Sequence, residues 1–146
     1  MKVYIATALE RADEARAFAG AVAALGHTLT YSWWEHGSVQ ADGPARIAQV
    51  AMDELEGVRV ADLVVVLLPG GRGTHTELGA ALAFTDADRG GFGSSTKRVI
   101  LVGPLADASG RECAFYRHPR VGFRFDTVPE VLAFLAGAVA GKDGVI

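Results

Sequence analysis

The feature that most constrains this chain is the run Asp62-Leu63-Val64-Val65-Val66-Leu67-Leu68, followed at once by Pro69-Gly70-Gly71-Arg72-Gly73-Thr74-His75-Thr76-Glu77. A nearly unbroken aliphatic stretch of strand length fits a central parallel strand covered by helices on both faces. A glycine-rich turn that feeds a helix points several free backbone N–H groups at one spot, where the helix dipole favours anionic or polar sugar groups. The expected fold is therefore α/β, with a ligand site at the end of this strand.

The neighbouring segments extend that pattern. Lys2 to Ala6 reads as a strand, and Thr7-Ala8-Leu9-Glu10 fits a capping box opening an alanine-rich helix that Gly26 ends. Thr28 to Ser32 reads as a second strand, followed by a loop from Trp33 to Gly43. Pro44 opens a helix to about Gly57, with Ile47, Val50, Ala51 and Leu55 spaced to lay one apolar stripe on the core. After the glycine turn come a helix from about Thr74 to Ala87, a polar loop from Asp88 to Thr96 and a strand from Arg98 to Val102. A long loop, 103–121, leads to a fifth strand at Gly122 to Asp126. Thr127-Val128-Pro129-Glu130, again a capping box, opens a last helix to about Ala140, and a frayed tail follows Gly141. Alternating strands and helices predict one domain over 1–146. It is a doubly wound, Rossmann- or flavodoxin-like parallel sheet of five strands in the order 2-1-3-4-5. Ligands then sit beyond the carboxyl ends of strands one and three, which places the site at residues 4–10 and 69–77.

Composition narrows the function classes. The net charge is −3 and no basic run is present, so a nucleic-acid polymer is not the expected partner. The lone cysteine, Cys113, cannot form an internal disulfide, and His27, His36, His75 and His118 show no metal-ligand spacing. No metal and no cofactor are expected. No apolar run is long enough to span a membrane, and Glu10, Arg11 and Asp13 interrupt any signal-peptide core, so the expected location is cytoplasmic.

The glycine turn is not a Walker A loop, because no Gly-Lys-Ser/Thr follows, and Thr76 stands where the dinucleotide fingerprint needs its third glycine. Gly70, Gly71 and Gly73 permit backbone angles and close approach that side chains would block. Arg72 is placed for a bidentate contact to phosphate or carboxylate, and Thr74 and Thr7 sit at the two turns that face the crevice. Glu77, one turn into the helix, has two readings. Its carboxylate either folds toward the pocket or, as the fourth residue of Thr74-His75-Thr76-Glu77, satisfies a backbone N–H as a capping box.

Resemblance bears on that choice. Val3-Tyr4-Ile5-Ala6, Gly26 to Trp33, Ala61 to Val66 and Gly73-Thr74-His75-Thr76-Glu77-Leu78-Gly79 resemble the nucleoside 2-deoxyribosyltransferase family in order and spacing, over most of the chain. The Glu-Leu-Gly segment is the most specific part. The resemblance implies that Glu77 is the nucleophile that attacks the anomeric carbon, giving a glycosyl-enzyme ester that a second base or water resolves, as in a retaining glycosidase. It implies that the Tyr4 hydroxyl holds this nucleophile, against a plain reading as a packed strand aromatic. It also places Glu54 where an aspartate that handles the leaving base is usual; adjacent Asp53 is the alternative, and a solvated helix face the plain reading. Relatives completed by a neighbouring subunit imply a homo-oligomer, with Phe115-Tyr116-Arg117-His118-Pro119 lining the pocket or meeting a partner.

The segment Pro69 to Glu77 is also similar to the P-G-G-x-G-T-x-x-E signature of cytokinin-activating phosphoribohydrolases, which cleave nucleoside 5′-monophosphates. Both resemblances imply cleavage of an N-glycosidic bond in a small nucleoside or nucleotide. Ala6-Thr7-Ala8-Leu9-Glu10 lacks the Gly-Ser and arginine pattern of nucleotide-hydrolysing relatives, which favours the nucleoside. Trp33 and Trp34 offer indoles that either stack on a base or pack the loop. Asp62 begins strand three, at the edge of the sheet away from the crevice. Outside enzymes, a non-catalytic sensor of a nucleotide-derived ligand uses the same crevice, and a purely structural role uses none of it.

Overall fold

The computed structural model describes residues 1–87 and 97–140, so the polar loop expected at Asp88 to Thr96 and the tail after Gly141 lie outside the described residues. The elements are β1 (Lys2–Ala6), α1 (Ala12–Ala24), β2 (Thr28–Leu29), α2 (Pro44–Val60), β3 (Leu63–Leu67), α3 (Arg72–Ala87), β4 (Arg98–Val102), β5 (Val121–Phe125) and α4 (Val128–Ala140). The five strands form one parallel sheet in the order β2-β1-β3-β4-β5, as the alternation predicts. In register, Tyr4 stands beside Val64 and Val64 beside Val99.

The aliphatic run is buried at every position, because β3 lies between β1 and β4 and helices cover both faces. Helix α1 packs with α4, and α2 with α3. In α1 the buried stripe is Ala15, Phe18, Ala19 and Val22, the spacing of one helix face. Gly26, at φ +82°, lets the chain turn out of α1. The long connection after β4 carries a short 3-10 helix at Ala114–Arg117 and returns the chain parallel to β4, with a register irregularity beside Val99 and Ile100.

Several local expectations change. Thr7 does not cap a helix: its hydroxyl donates to the Leu67 carbonyl at 2.9 Å, so the chain makes a 3-10 turn at Leu9–Arg11 before α1 starts. The second strand shortens to two residues, since Trp33 and Trp34 turn into the core with Tyr31 packed against it. Helix α2 runs past Gly57 to Val60, and Lys97 caps its end, its ammonium donating to the carbonyls of Val58 at 2.9 Å, Arg59 at 3.1 Å and Ala61. The expected core stripe of α2 is only partly core. Val50 is buried, whereas Ala51 and Leu55 are exposed. At α4 the glutamate half of the capping box forms, with Glu130 accepting from the Asp126 and Thr127 N–H groups at 2.9 and 3.0 Å.

Gly103, directly after β4, has φ +104°, and a Cβ there would lie 2.6 Å from the Leu68 carbonyl oxygen. Gly26 needs positive φ as well but has open space around it. Gly103→Ala is therefore expected to cost about 1–3 kcal/mol and more than Gly26→Ala, read as the difference in denaturant midpoints.

Candidate active site

Helix α3 begins at Arg72, two residues earlier than expected, and this decides between the readings of Glu77. Thr74 is thereby inside the first turn, and its hydroxyl accepts from the Gly71 N–H at 3.0 Å. The capping box does not form. Glu77 instead points toward β1, where the Tyr4 hydroxyl donates to its Oε1 in a buried hydrogen bond. Tyr4 is fully buried and Glu77 only 6% exposed, so this hydrogen bond is made out of water.

Around Glu77 opens a cleft of about 410 Å³, in the size range of small-molecule sites. Its walls come from three places: Thr7 to Glu10 after β1, Gly71 to Thr74 with Glu77 at the start of α3, and Trp33, His36 to Gln40, Ile47, Val50, Ala51 and Glu54 from the loop and helix after β2. The cleft thus sits beyond the ends of β1 and β3, at the switch point. The positions 47, 50, 51 and 54 form one face of α2, and that face lines the cleft.

The residues singled out in the sequence divide. Thr7, Trp33, Glu54, Gly71, Arg72, Gly73, Thr74 and Glu77 line the cleft, and Tyr4 stands behind Glu77. Asp53 does not line it. Its carboxylate accepts from Gln49 Nε2 at 2.8 Å on the exposed side of α2. Gly70 does not line it either. A Cβ there would come 2.5 Å from the Thr74 methyl, so this glycine makes room for Thr74 rather than for a ligand. None of Gly70, Gly71 and Gly73 has positive φ, so the turn does not use their left-handed freedom; Gly73 has open space instead. Trp33 is 4% exposed, its indole N–H donates to the Ile5 carbonyl at 2.9 Å, and Trp34 meets it edge-on. Its ring is therefore a fixed wall. Asp62 accepts from the Lys2 N–H at 2.7 Å, at the far end of the sheet.

Sequence reasoning passed over two histidines as anything but metal ligands. His75 Nδ1 lies 2.7 Å from the Gly71 carbonyl, which can only accept, so Nδ1 carries the proton and Nε2 accepts from the Tyr116 hydroxyl at 2.8 Å. This ties the first turn of α3 to the loop after β4. His36 lines the cleft, where its Nδ1 donates to the Gly37 carbonyl at 2.8 Å and its buried Nε2 has no hydrogen-bond partner among the described residues. Among the described residues no cluster of His, Cys, Asp and Glu has the arrangement of a metal site, and no helix is long and apolar enough to cross a membrane.

Burial sets the electrostatics. It pushes the Glu77 carboxyl up to about 7; the Tyr4 hydrogen bond works against that rise, and the nearby Glu54 charge adds to it. Burial also raises Glu54, against a smaller opposing effect of His36. The Tyr4 hydroxyl is raised by burial and by the Glu77 charge, so it remains a proton donor. The cleft therefore holds two buried carboxyl groups, and the charge of Glu54 disfavours the ionisation of Glu77.

Among the solved structures that share this fold are two enzymes of nucleoside or nucleotide chemistry. A CMP N-glycosidase of Clostridium botulinum superposes with a TM-score of 0.57 at 18% identity, over 94% of this chain and 99% of the other. A 2-deoxyribosyltransferase of Bacillus psychrosaccharolyticus superposes with a TM-score of 0.63 at 21% identity, over 92% and 96%. The chain has their fold. No protein-family model matches the sequence, and no curated protein sequence does.

Because folding raises the Glu77 pKa from 4.5 to about 7, the protonated carboxyl suits the folded state. Stability linked to this group is fully present below about 4.5 and is lost as pH rises through about 7. Glu77→Gln is thus expected to match wild type in thermal stability at low pH and to exceed it at pH 8, by up to roughly 3 kcal/mol. Melting curves of both proteins across this range check it.

Proposed function

We propose that this protein cleaves or transfers across the N-glycosidic bond of a small nucleoside, with Glu77 as the nucleophile. The observation that carries the reading is that the Glu77 carboxylate, freed from capping α3, is buried against Tyr4 and faces the cleft beside Glu54. Tyr4 holds Oε1, which leaves Oε2 for the anomeric carbon. The C1′–N bond breaks as the C1′–Oε2 bond forms, and the electron pair leaves with the base, which takes a proton from Glu54. A second base or a water then gives its proton to Glu54, attacks C1′ and breaks the C1′–Oε2 bond, which restores both carboxyl groups. Charge develops on the sugar next to an anion in a site walled by Trp33 and Val50, where such pairing is strong. The two neighbours of this fold, a CMP N-glycosidase and a 2-deoxyribosyltransferase, support the reaction class.

Glu10, Glu54 and Glu77 all line the cleft, which disfavours a phosphate and favours a neutral nucleoside. One observation supports a 5′-monophosphate instead. Arg72 is exposed at the cleft, its guanidinium without an ion-pair or hydrogen-bond partner among the described residues, at the first turn of α3, whose N-terminus favours an anion. The lone thiol Cys113 suits a reducing cytosol, and the exposed Phe115 and Phe123 suit a homo-oligomer.

The test is chromatographic detection of free base from 2′-deoxynucleosides, ribonucleosides and their 5′-monophosphates, with and without an acceptor base. Glu77→Gln is expected to lower base release by about 10³-fold or more, and Tyr4→Phe by about 10²-fold. The kcat/KM of wild type falls as pH rises through about 7, where the Glu77–Glu54 pair loses its last proton and has none to give the base, and falls again in acid, where both carboxyls are protonated. Glu54→Gln removes the alkaline fall. Arg72→Ala leaves nucleosides unaffected; a rise in KM for monophosphates alone selects the second substrate class. Base release from none of these compounds, with binding that persists in Glu77→Gln, marks a sensor instead of an enzyme.

A further inference from the structure

Gly57 lies in the last turn of α2, three residues before Val60 and still within the helix, and no positive φ calls for a glycine there. Space does. A Cβ at this position would sit 2.9 Å from the Tyr4 Cε2, 3.0 Å from its Cδ2 and 2.9 Å from the Tyr31 Cβ. Carbon atoms in ordinary contact stand about 3.5–4.0 Å apart, so the helix and the ring would have to separate by roughly 0.5–1 Å. The Tyr4 ring is fully buried and its hydroxyl is committed to Glu77, so a displacement of the ring breaks or bends that bond. A displacement of the helix moves Glu54, which lies three residues earlier on the same face.

We propose that Gly57 is a positioning residue: its missing side chain is the notch in α2 that seats the Tyr4 ring and thereby fixes both the Tyr4–Glu77 pair and Glu54 against the cleft. The proposal rests on the reading of Glu77 and Tyr4 as working partners, but its geometry can be measured without substrate. The same glycine brings the two sides of the site together, β1 with its tyrosine and α2 with its acid. Side-chain displacements of this size near reacting atoms cost up to about 100-fold in rate.

The experiment compares wild type, Gly57→Ala, Tyr4→Phe and the double variant in two measurements. The first is the titration of the Glu77 carboxyl, followed by carbon NMR with Glu77→Gln used for assignment. The second is base release from a panel of 2′-deoxynucleosides. Gly57→Ala is expected to shift the Glu77 titration to higher pH, as Tyr4→Phe does, because both remove the hydrogen bond that opposes the burial effect. It lowers kcat by about 10- to 100-fold with little change in KM, and adds little to the loss in the Tyr4→Phe background. A Gly57→Ala protein of lower melting temperature whose Glu77 titration and kcat equal those of wild type overturns the proposal, as do losses that simply multiply in the double variant. If no nucleoside is turned over by wild type, the functional reading fails and the titration still decides the notch. Should Gly57→Ala not fold, Tyr31→Gly is added, so that only the Tyr4 ring opposes the new methyl group and the same comparison is made in that background.

Discussion

The hydrogen bond from Tyr4 to Glu77 joins the strand layer to the second turn of α3 at a point from which water is excluded. A carboxylate there loses its hydration, and one tyrosine hydroxyl restores part of what water would have given. The rest of the site is arranged around this contact. Helix α3 must begin at Arg72 for Glu77 to reach β1, Thr74 must bond Gly71 for that start to hold, and Gly70 must lack a side chain for Thr74 to fit. Helix α2 must come close enough to close the cleft, which Gly57 allows.

The electrostatic consequence is a Glu77 carboxyl held near its point of ionisation at neutral pH, beside a Glu54 carboxyl that burial also raises. Burial raises both Glu77 and Glu54, and the Glu54 charge adds to the rise at Glu77. Such a pair can keep one proton while releasing the other, which is what a nucleophile and an acid in one small cleft require. The stability lost by burying Glu77 is compensated by a sheet whose central strand is apolar on both faces.

The sheet order was readable because the signal is coarse: aliphatic runs alternate with helical periodicity, and few topologies accept that pattern. Local capping was less readable. Thr7-Ala8-Leu9-Glu10, Thr74 to Glu77 and Thr127 to Glu130 share one sequence pattern, yet the glutamate reaches back only in the last, because Thr7 bonds Leu67 and Thr74 bonds Gly71. These are contacts between distant or shifted segments that a four-residue pattern does not encode. The stripe at Ile47, Val50 and Ala51 was visible, but an apolar helix face reads alike whether it meets a core or a cleft; extending it by one turn to Glu54 was the available clue. Choosing Glu54 over Asp53 needed the helix phase relative to the sheet, and the role of Gly57 needed the position of a ring 53 residues away in the chain. Tyr116 meeting His75 from the loop after β4 had no sequence signal at all.

The central claim is that Glu77 forms a bond to the sugar. Mass spectrometry of the protein quenched in acid during incubation with a 2′-deoxynucleoside tests it most directly. A deoxyribosyl adduct is predicted on the peptide that contains Glu77, lost when an acceptor base is added and absent in Glu77→Ala. Base release that proceeds with no adduct on that peptide, and continues undiminished in Glu77→Ala, would contradict it.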